Sequence, residues 1–198
     1  MDPDRELLRA WQDGDRRAGQ RLFERHFDAI ARFFRSKLGD DVQDLVQRTF
    51  TDCVERRTGL AEDASVRAYL FGIARHRLVD HLRTREHAFD PERTSIAELA
   101  TSPSAAVGRQ DEQRLLRLAL QRLPVDLQIT VELAYWEGLD GPEIGHVLGI
   151  GANTVRSRLA RARDGLRESL RAFESDPALV ARLQDDLERR SREFEHDE

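Results

Sequence analysis

Asn153, Thr154, Arg156, Ser157, Arg158 and Arg161 fall within one short stretch and carry side chains suited to reading DNA. Amide, hydroxyl and guanidinium groups match the donors and acceptors of base edges in the major groove, and arginine also neutralises phosphate. At 3.6 residues per turn, Asn153, Ser157 and Arg161 share one helical face, with Thr154 and Arg156 beside them. Val155, Leu159, Ala162 and Leu166 make the opposite, apolar stripe, flanked by Arg158, Arg163 and Arg167. The pattern predicts a helix over 152–172 with one buried face and one face open to a polyanion. An amphipathic helix with an arginine bias and a merely solvated outer face has the same pattern.

What precedes it decides between the two. Asp140 is a good N-cap, Pro142 lies in the first turn, and Glu143 stands three residues after the cap, the spacing of a capping box. Ile144, Val147 and Leu148 give an apolar stripe, and Gly149 ends the helix because glycine tolerates the left-handed conformation. Two helices over 140–148 and 152–172, joined by a short glycine turn, form a helix-turn-helix, whose second helix lies in the major groove.

The N-terminal half holds two further informative segments. In Asp40–Val54 the residues Val42, Leu45, Val46, Thr49, Phe50 and Cys53 build a broad apolar stripe, with Asp44, Gln47, Arg48 and Thr51 off it. In Ser65–Arg83, Val66, Leu70, Ile73, Ala74 and Leu78 form the core stripe. Tyr69, His76, Asp80 and Arg83 line another face, with Arg75 close by. Aromatic, imidazole and guanidinium groups in a row suit single-stranded nucleic acid, since bases stack on rings and phosphates pair with arginine. A solvated polar face fits that row equally well.

Helical periodicity runs through almost the whole chain, and period-two strand patterns do not appear. Helices are predicted at 4–13, 15–37, 40–56, 65–86, 109–121, 125–136, 140–148, 152–172 and 177–194. The fold class is all-α, with two small helical domains joined by a flexible linker. The weakest helical signal, His87–Gly108, carries two prolines and several Ser and Thr, and reads as that linker. The expected division is 1–87, a linker over 88–108, 109–172, and an acidic helical tail over 173–198.

A formal net charge of −5 looks unsuited to DNA, but its distribution matters more than its total. Asn153–Arg171 holds six arginines against Asp164 and Glu168, a local charge of about +4, and the tail beyond it is acidic. No apolar run approaches membrane-spanning length, and the acidic start MDPDRELLRAWQDGD lacks the apolar centre of a signal peptide. The single cysteine, Cys53, sits among apolar positions and reads as a buried thiol. These features point to a cytoplasmic chain.

The order and spacing of these blocks resemble the sigma-70 family of bacterial RNA polymerase sigma factors, most closely the extracytoplasmic-function subgroup, which keeps only regions two and four. Asp44–Phe50 resembles the region-two pattern D-L-V-Q-x-T-F, and Val66–Arg83 resembles the helix that follows it. Leu123-Pro124 and Glu137–Arg163 resemble region four. The resemblance spans about residues 15–172. Tyr69 stands where tryptophan is common, Val66 where phenylalanine is, and Arg48 where glutamate is frequent. Gly145 replaces alanine, and Asn153 replaces the glycine before T-V.

The resemblance implies partners and roles. Core RNA polymerase would meet Asp44, Leu45, Gln47 and Arg48 through the beta-prime clamp helices, and residues Leu123–Leu139 through the beta-flap tip. The loop Arg57–Ala64 and the following helix would recognise and open the minus-ten element of promoter DNA, using Arg67, Tyr69, Arg75, His76, Asp80 and Arg83. Asn153, Thr154, Arg156, Ser157, Arg158 and Arg161 would read the minus-thirty-five element. An anti-sigma factor is a common partner of such proteins. No cofactor, metal or catalytic residue is implied.

Two other classes compete. One is a helix-turn-helix regulator acting without polymerase, which the Asp44–Phe50 pattern opposes. The other is a metal enzyme using His76, Asp80 and His81 or Glu143 and His146, but no second matching helix or cysteine pair supports it. Neither a phosphate-binding glycine loop nor a nucleophile elbow is present in the sequence.

Overall fold

The computed structural model describes residues 3–56, 65–99, 112–172 and 177–196, and among the described residues the regular structure is helical, with a single isolated bridge. The chain divides into two units, Met1–Arg85 and Glu86–Glu198. None of the described helices is long and apolar enough to cross a membrane.

The first unit contains α1 (Pro3–Gln12), α2 (Arg16–Leu38), α3 (Gln43–Arg56) and α4 (Val66–Arg85). Asp15 caps α2 by accepting hydrogen bonds from the Arg17 and Ala18 amides. Gly39, at φ +83, ends it. Leu8, Leu22, Ile30, Phe34, Leu70, Phe71, Leu78 and Leu82 are fully buried and knit the four helices together. The Phe33 and Phe71 rings meet edge-on at 5.7 Å, joining α2 to α4. Cys53 is buried, and burial pushes its thiol up to about 12, so it is a structural thiol.

The α3–α4 seam carries an ion pair that the periodicity does not announce. Arg77 donates to Asp52 through two nitrogens, at 2.6 and 2.5 Å. The Asp52 side chain is only 9% exposed. The guanidinium holds this carboxyl below the usual carboxylate range, mainly through the hydrogen bond it donates.

The second unit contains α5 (Ile96–Leu99), α6 (Glu112–Gln121), α7 (Val125–Tyr135), α8 (Gly141–Leu148), α9 (Ala152–Ala172) and α10 (Pro177–His196). Every residue of α7 is buried, and several of its polar side chains find partners within the unit. Gln128 donates to Glu132, Thr130 to the Asp126 carbonyl, and Asp126 faces Arg158. Val155, Leu159, Ala162, Leu166 and Leu170 form the buried stripe of α9.

Here the structure departs from the expected linker over 88–108. The described residues Glu86–Leu99 belong to the second unit, with Phe89, Ser95 and Ile96 buried. The amides of Val125 and Asp126, left without intrahelical partners at the start of α7, donate to the carbonyls of Thr94 and Pro91 at 3.0 and 2.8 Å. The segment is thus a clasp on α7. Ser95 and Glu98 cap α5 reciprocally, an S-x-x-E signal that stands in the sequence.

Candidate nucleic-acid interface

The helix-turn-helix is built as its sequence suggests. Asp140 accepts from the Glu143 amide at 2.8 Å, while the Glu143 carboxylate accepts from the Asp140 amide at 3.0 Å. Gly149 adopts the left-handed conformation, and the Ile150 amide donates back to the Gly145 carbonyl at 2.9 Å. The Ile150 carbonyl approaches so closely that a Cβ on Gly145 would meet it at 2.6 Å. Glycine at 145 therefore accommodates the turn that aims α9.

On α9, Asn153, Thr154, Arg156, Ser157 and Arg161 are all exposed. They line the outer face in the first half of the helix. The Ser157 hydroxyl donates to the Thr154 carbonyl at 2.9 Å, which leaves its oxygen as an acceptor for a base or phosphate. Arg158 does not join them. Its side chain is 9% exposed and reaches Asp126 at 3.3 Å and Glu92 at 2.6 Å. The assignment of Arg158 to DNA is corrected: its position, three after Val155 and one before Leu159, turns it onto the core, where α7 and the clasp supply counter-charges. Arg163 and Arg167 are engaged by α10, through Ser191 and Glu188.

In the first unit, α4 places Arg67, Tyr69, Arg75 and Asp80 at half-buried positions, with His76 and Arg83 exposed. His76 faces Asp80 at 3.3 Å, and no third metal-ligating residue joins them among the described residues. Burial raises the Tyr69 phenol above its ordinary value, so the ring is neutral at physiological pH. The loop Arg57–Ala64 lies outside the described residues.

On α3, Asp44, Gln47 and Arg48 are exposed, and Arg48 pairs with Asp44 at 2.9 Å across one turn. Leu45 is buried and packs into the core, so its assignment to a docking surface is corrected. The structure adds what the motif omits. Phe27 and Val54 are exposed large apolar residues beside Gln47 and Thr51, over a groove floored by Phe23 and Phe50. The Phe27 ring stacks on Phe50, with ring planes 9° apart. Together these side chains leave an apolar groove open beside a polar helix face. The only signal for it in the sequence is that Phe23 and Phe27 lie four apart on α2.

Comparisons with known proteins bear on both units. The family models "Sigma-70 region 2" and "Sigma-70, region 4" match residues 22–88 and 113–165. The chain is 30% identical over 172 residues to the ECF RNA polymerase sigma factor SigM of Mycobacterium tuberculosis, covering 84% of each chain. It is 31% identical over 184 residues to the RNA polymerase sigma factor CnrH of Cupriavidus metallidurans, covering 86% of this chain and 96% of CnrH. The solved structure of CnrH in complex with the cytosolic domain of CnrY is similar at a TM-score of 0.66 and 30% identity, covering 88% of this chain and 100% of that one. Two region models in order, together with relatives that match along most of their length, place this chain in the sigma-70 family of RNA polymerase sigma factors, in its extracytoplasmic-function subgroup.

Proposed function

We propose that this chain is a promoter-specificity factor: it binds core RNA polymerase, recognises a two-part promoter and starts its melting. The observation that carries this reading is the pairing, in one chain, of a capped helix-turn-helix with an open base-reading face and an α3 face beside exposed apolar side chains. The first suits duplex DNA and the second suits a protein. A regulator that needs DNA alone has no use for the α3 surface. The chain acts as an initiation factor and not as an enzyme.

In this reading, the expected domain 1–87, ending at Arg85 in the structure, does the polymerase docking and minus-ten work, and residues 109–172 form the minus-thirty-five domain, with the clasp Glu86–Leu99 joined to it. Asp44, Gln47 and Arg48 meet the clamp helices, extended by Phe27 and Val54. Of the segment Leu123–Leu139, α7 itself is buried, so the flap tip meets its open end around Trp136 and Gly138. Arg67, Tyr69, Arg75, His76, Asp80 and Arg83 hold the opened strand, offsetting an unstacking cost of a few kcal/mol for an extruded base. Asn153, Thr154, Arg156, Ser157 and Arg161 read the minus-thirty-five element. The complex of CnrH with the cytosolic domain of CnrY supports a further protein partner of this chain, the place that the family resemblance gives to an anti-sigma factor.

Run-off transcription with core polymerase and genomic fragments tests the whole. Specific initiation that core alone cannot achieve is the expected result. DNA binding without any association with core would leave the polymerase-independent regulator. Arg161→Ala is expected to cost about tenfold in affinity for the preferred duplex if it pairs with guanine. A phosphate contact would instead weaken all sequences alike and lower the salt slope by about 1. Phe27→Ala is expected to weaken core binding about tenfold with only a small loss of thermal stability, because the ring is about half open in the free chain. Titration of labelled core separates that result from misfolding.

A further inference from the structure

The C-terminal helix α10 packs against α6, α7 and α9. Its buried seam is narrow: Leu183, Leu187 and Ser191, spaced one turn apart. Beside that seam the contacts are polar. Arg190 donates to the Tyr135 carbonyl at 2.8 Å and lies over the Trp136 ring at 5.2 Å. Arg167 donates to Glu188 at 2.9 Å, and Arg163 donates to Ser191. The pairs are partly exposed, with 39% and 46% of the Arg167 and Glu188 side chains accessible. Such contacts hold a helix in place weakly.

What α10 covers is specific. Arg190, Glu193 and Phe194 close over Ala134, Tyr135, Gly138, Leu139 and Asp140, the corner where α7 turns into α8. That corner ends the segment Leu123–Leu139 proposed to meet the polymerase flap. Two occupants cannot hold one surface. The base-reading face is untouched, since Asn153, Thr154, Arg156, Ser157 and Arg161 stay exposed with α10 in place.

We propose that α10 is a displaceable strap seated on the polymerase-docking corner of the second unit, lifted when core polymerase binds. The strap sets the affinity for polymerase and leaves the affinity for duplex DNA alone. This rests on the polymerase-docking reading above. The occupant that displaces α10 is a helical or extended element of core polymerase with an apolar edge to replace Leu183 and Leu187 and an acceptor for Arg167.

The test compares the full chain, the double variant Glu188→Ala/Arg190→Ala, and a chain ending at Ala172, each titrated with core polymerase and separately with a promoter duplex. The double variant keeps the helix and its apolar seam, so it serves where the shortened chain fails to fold. It is expected to bind core about fivefold tighter, the scale of losing the part-exposed contacts of Glu188 and Arg190 from the competing state. A peptide spanning Pro177–His196, added to the shortened chain, is expected to reverse its gain. Equal core affinity in all folded forms overturns the strap and leaves the sigma-factor reading intact. A gain in duplex affinity instead of core affinity overturns it in favour of DNA masking. Absence of core binding in every form overturns both.

Discussion

Arg158→Ala is expected to lower the stability of the second unit by about 3 kcal/mol, the low end of the cost of breaking a buried ion pair. The Asp126 carboxylate that it leaves behind is 3% exposed. The Glu92 contact to the clasp goes with it. Chemical denaturation of the variant reads the loss, and amide exchange at Val125 and Asp126 is expected to quicken first, as the clasp loosens. Adding Asp126→Leu to Arg158→Met is expected to recover most of the deficit, because both charges then leave together. An Arg158→Ala protein of undiminished stability that no longer binds its promoter would return Arg158 to the DNA face.

The second large effect concerns acid. Asp52→Asn is expected to destabilise the first unit by about 2–3 kcal/mol near neutral pH, less than a fully buried pair because Arg77 keeps some contact with water. Its sign with pH follows from the direction of the shift. The folded carboxyl titrates below its unfolded counterpart, so the stabilisation is complete above the ordinary carboxylate range and is lost as pH falls through the folded value. Wild type and variant should therefore differ most above the ordinary carboxylate range and converge only once pH has fallen below the folded value. Melting curves taken across that interval decide it. A difference that stays constant down to the lowest pH would mean that geometry, and not charge, makes Asp52 important.

The helices and the turn between α8 and α9 were legible because they rest on local physics: 3.6-residue periodicity, a capping box and a glycine stop. The misplacements have separate causes. Leu45 belongs to the apolar stripe Val42, Leu45, Val46, Thr49, but the motif around it suggested a docking role, and the stripe describes its side chain better. Arg158 also lies on the stripe's shoulder. Its charge argued for solvent, and only the tertiary partners Asp126 and Glu92 explain why it turns in. The clasp Glu86–Leu99 escaped notice because α5 has four residues and the segment's other bonds run to the distant α7. Gly145 reads as a neutral exchange for alanine until the Ile150 carbonyl is seen against it.

The clasp also sets where the protein divides as heritable modules. A promoter-reading half transplanted onto another sigma factor with a junction at residue 109 would leave behind Pro91, Glu92 and Thr94, and with them the partners of Asp126, Arg158 and Val125. A junction at Arg85–Glu86 carries the whole ensemble across. Recombination, in the laboratory or in a genome, should therefore tolerate crossovers at the end of α4 and penalise those placed inside the apparent spacer.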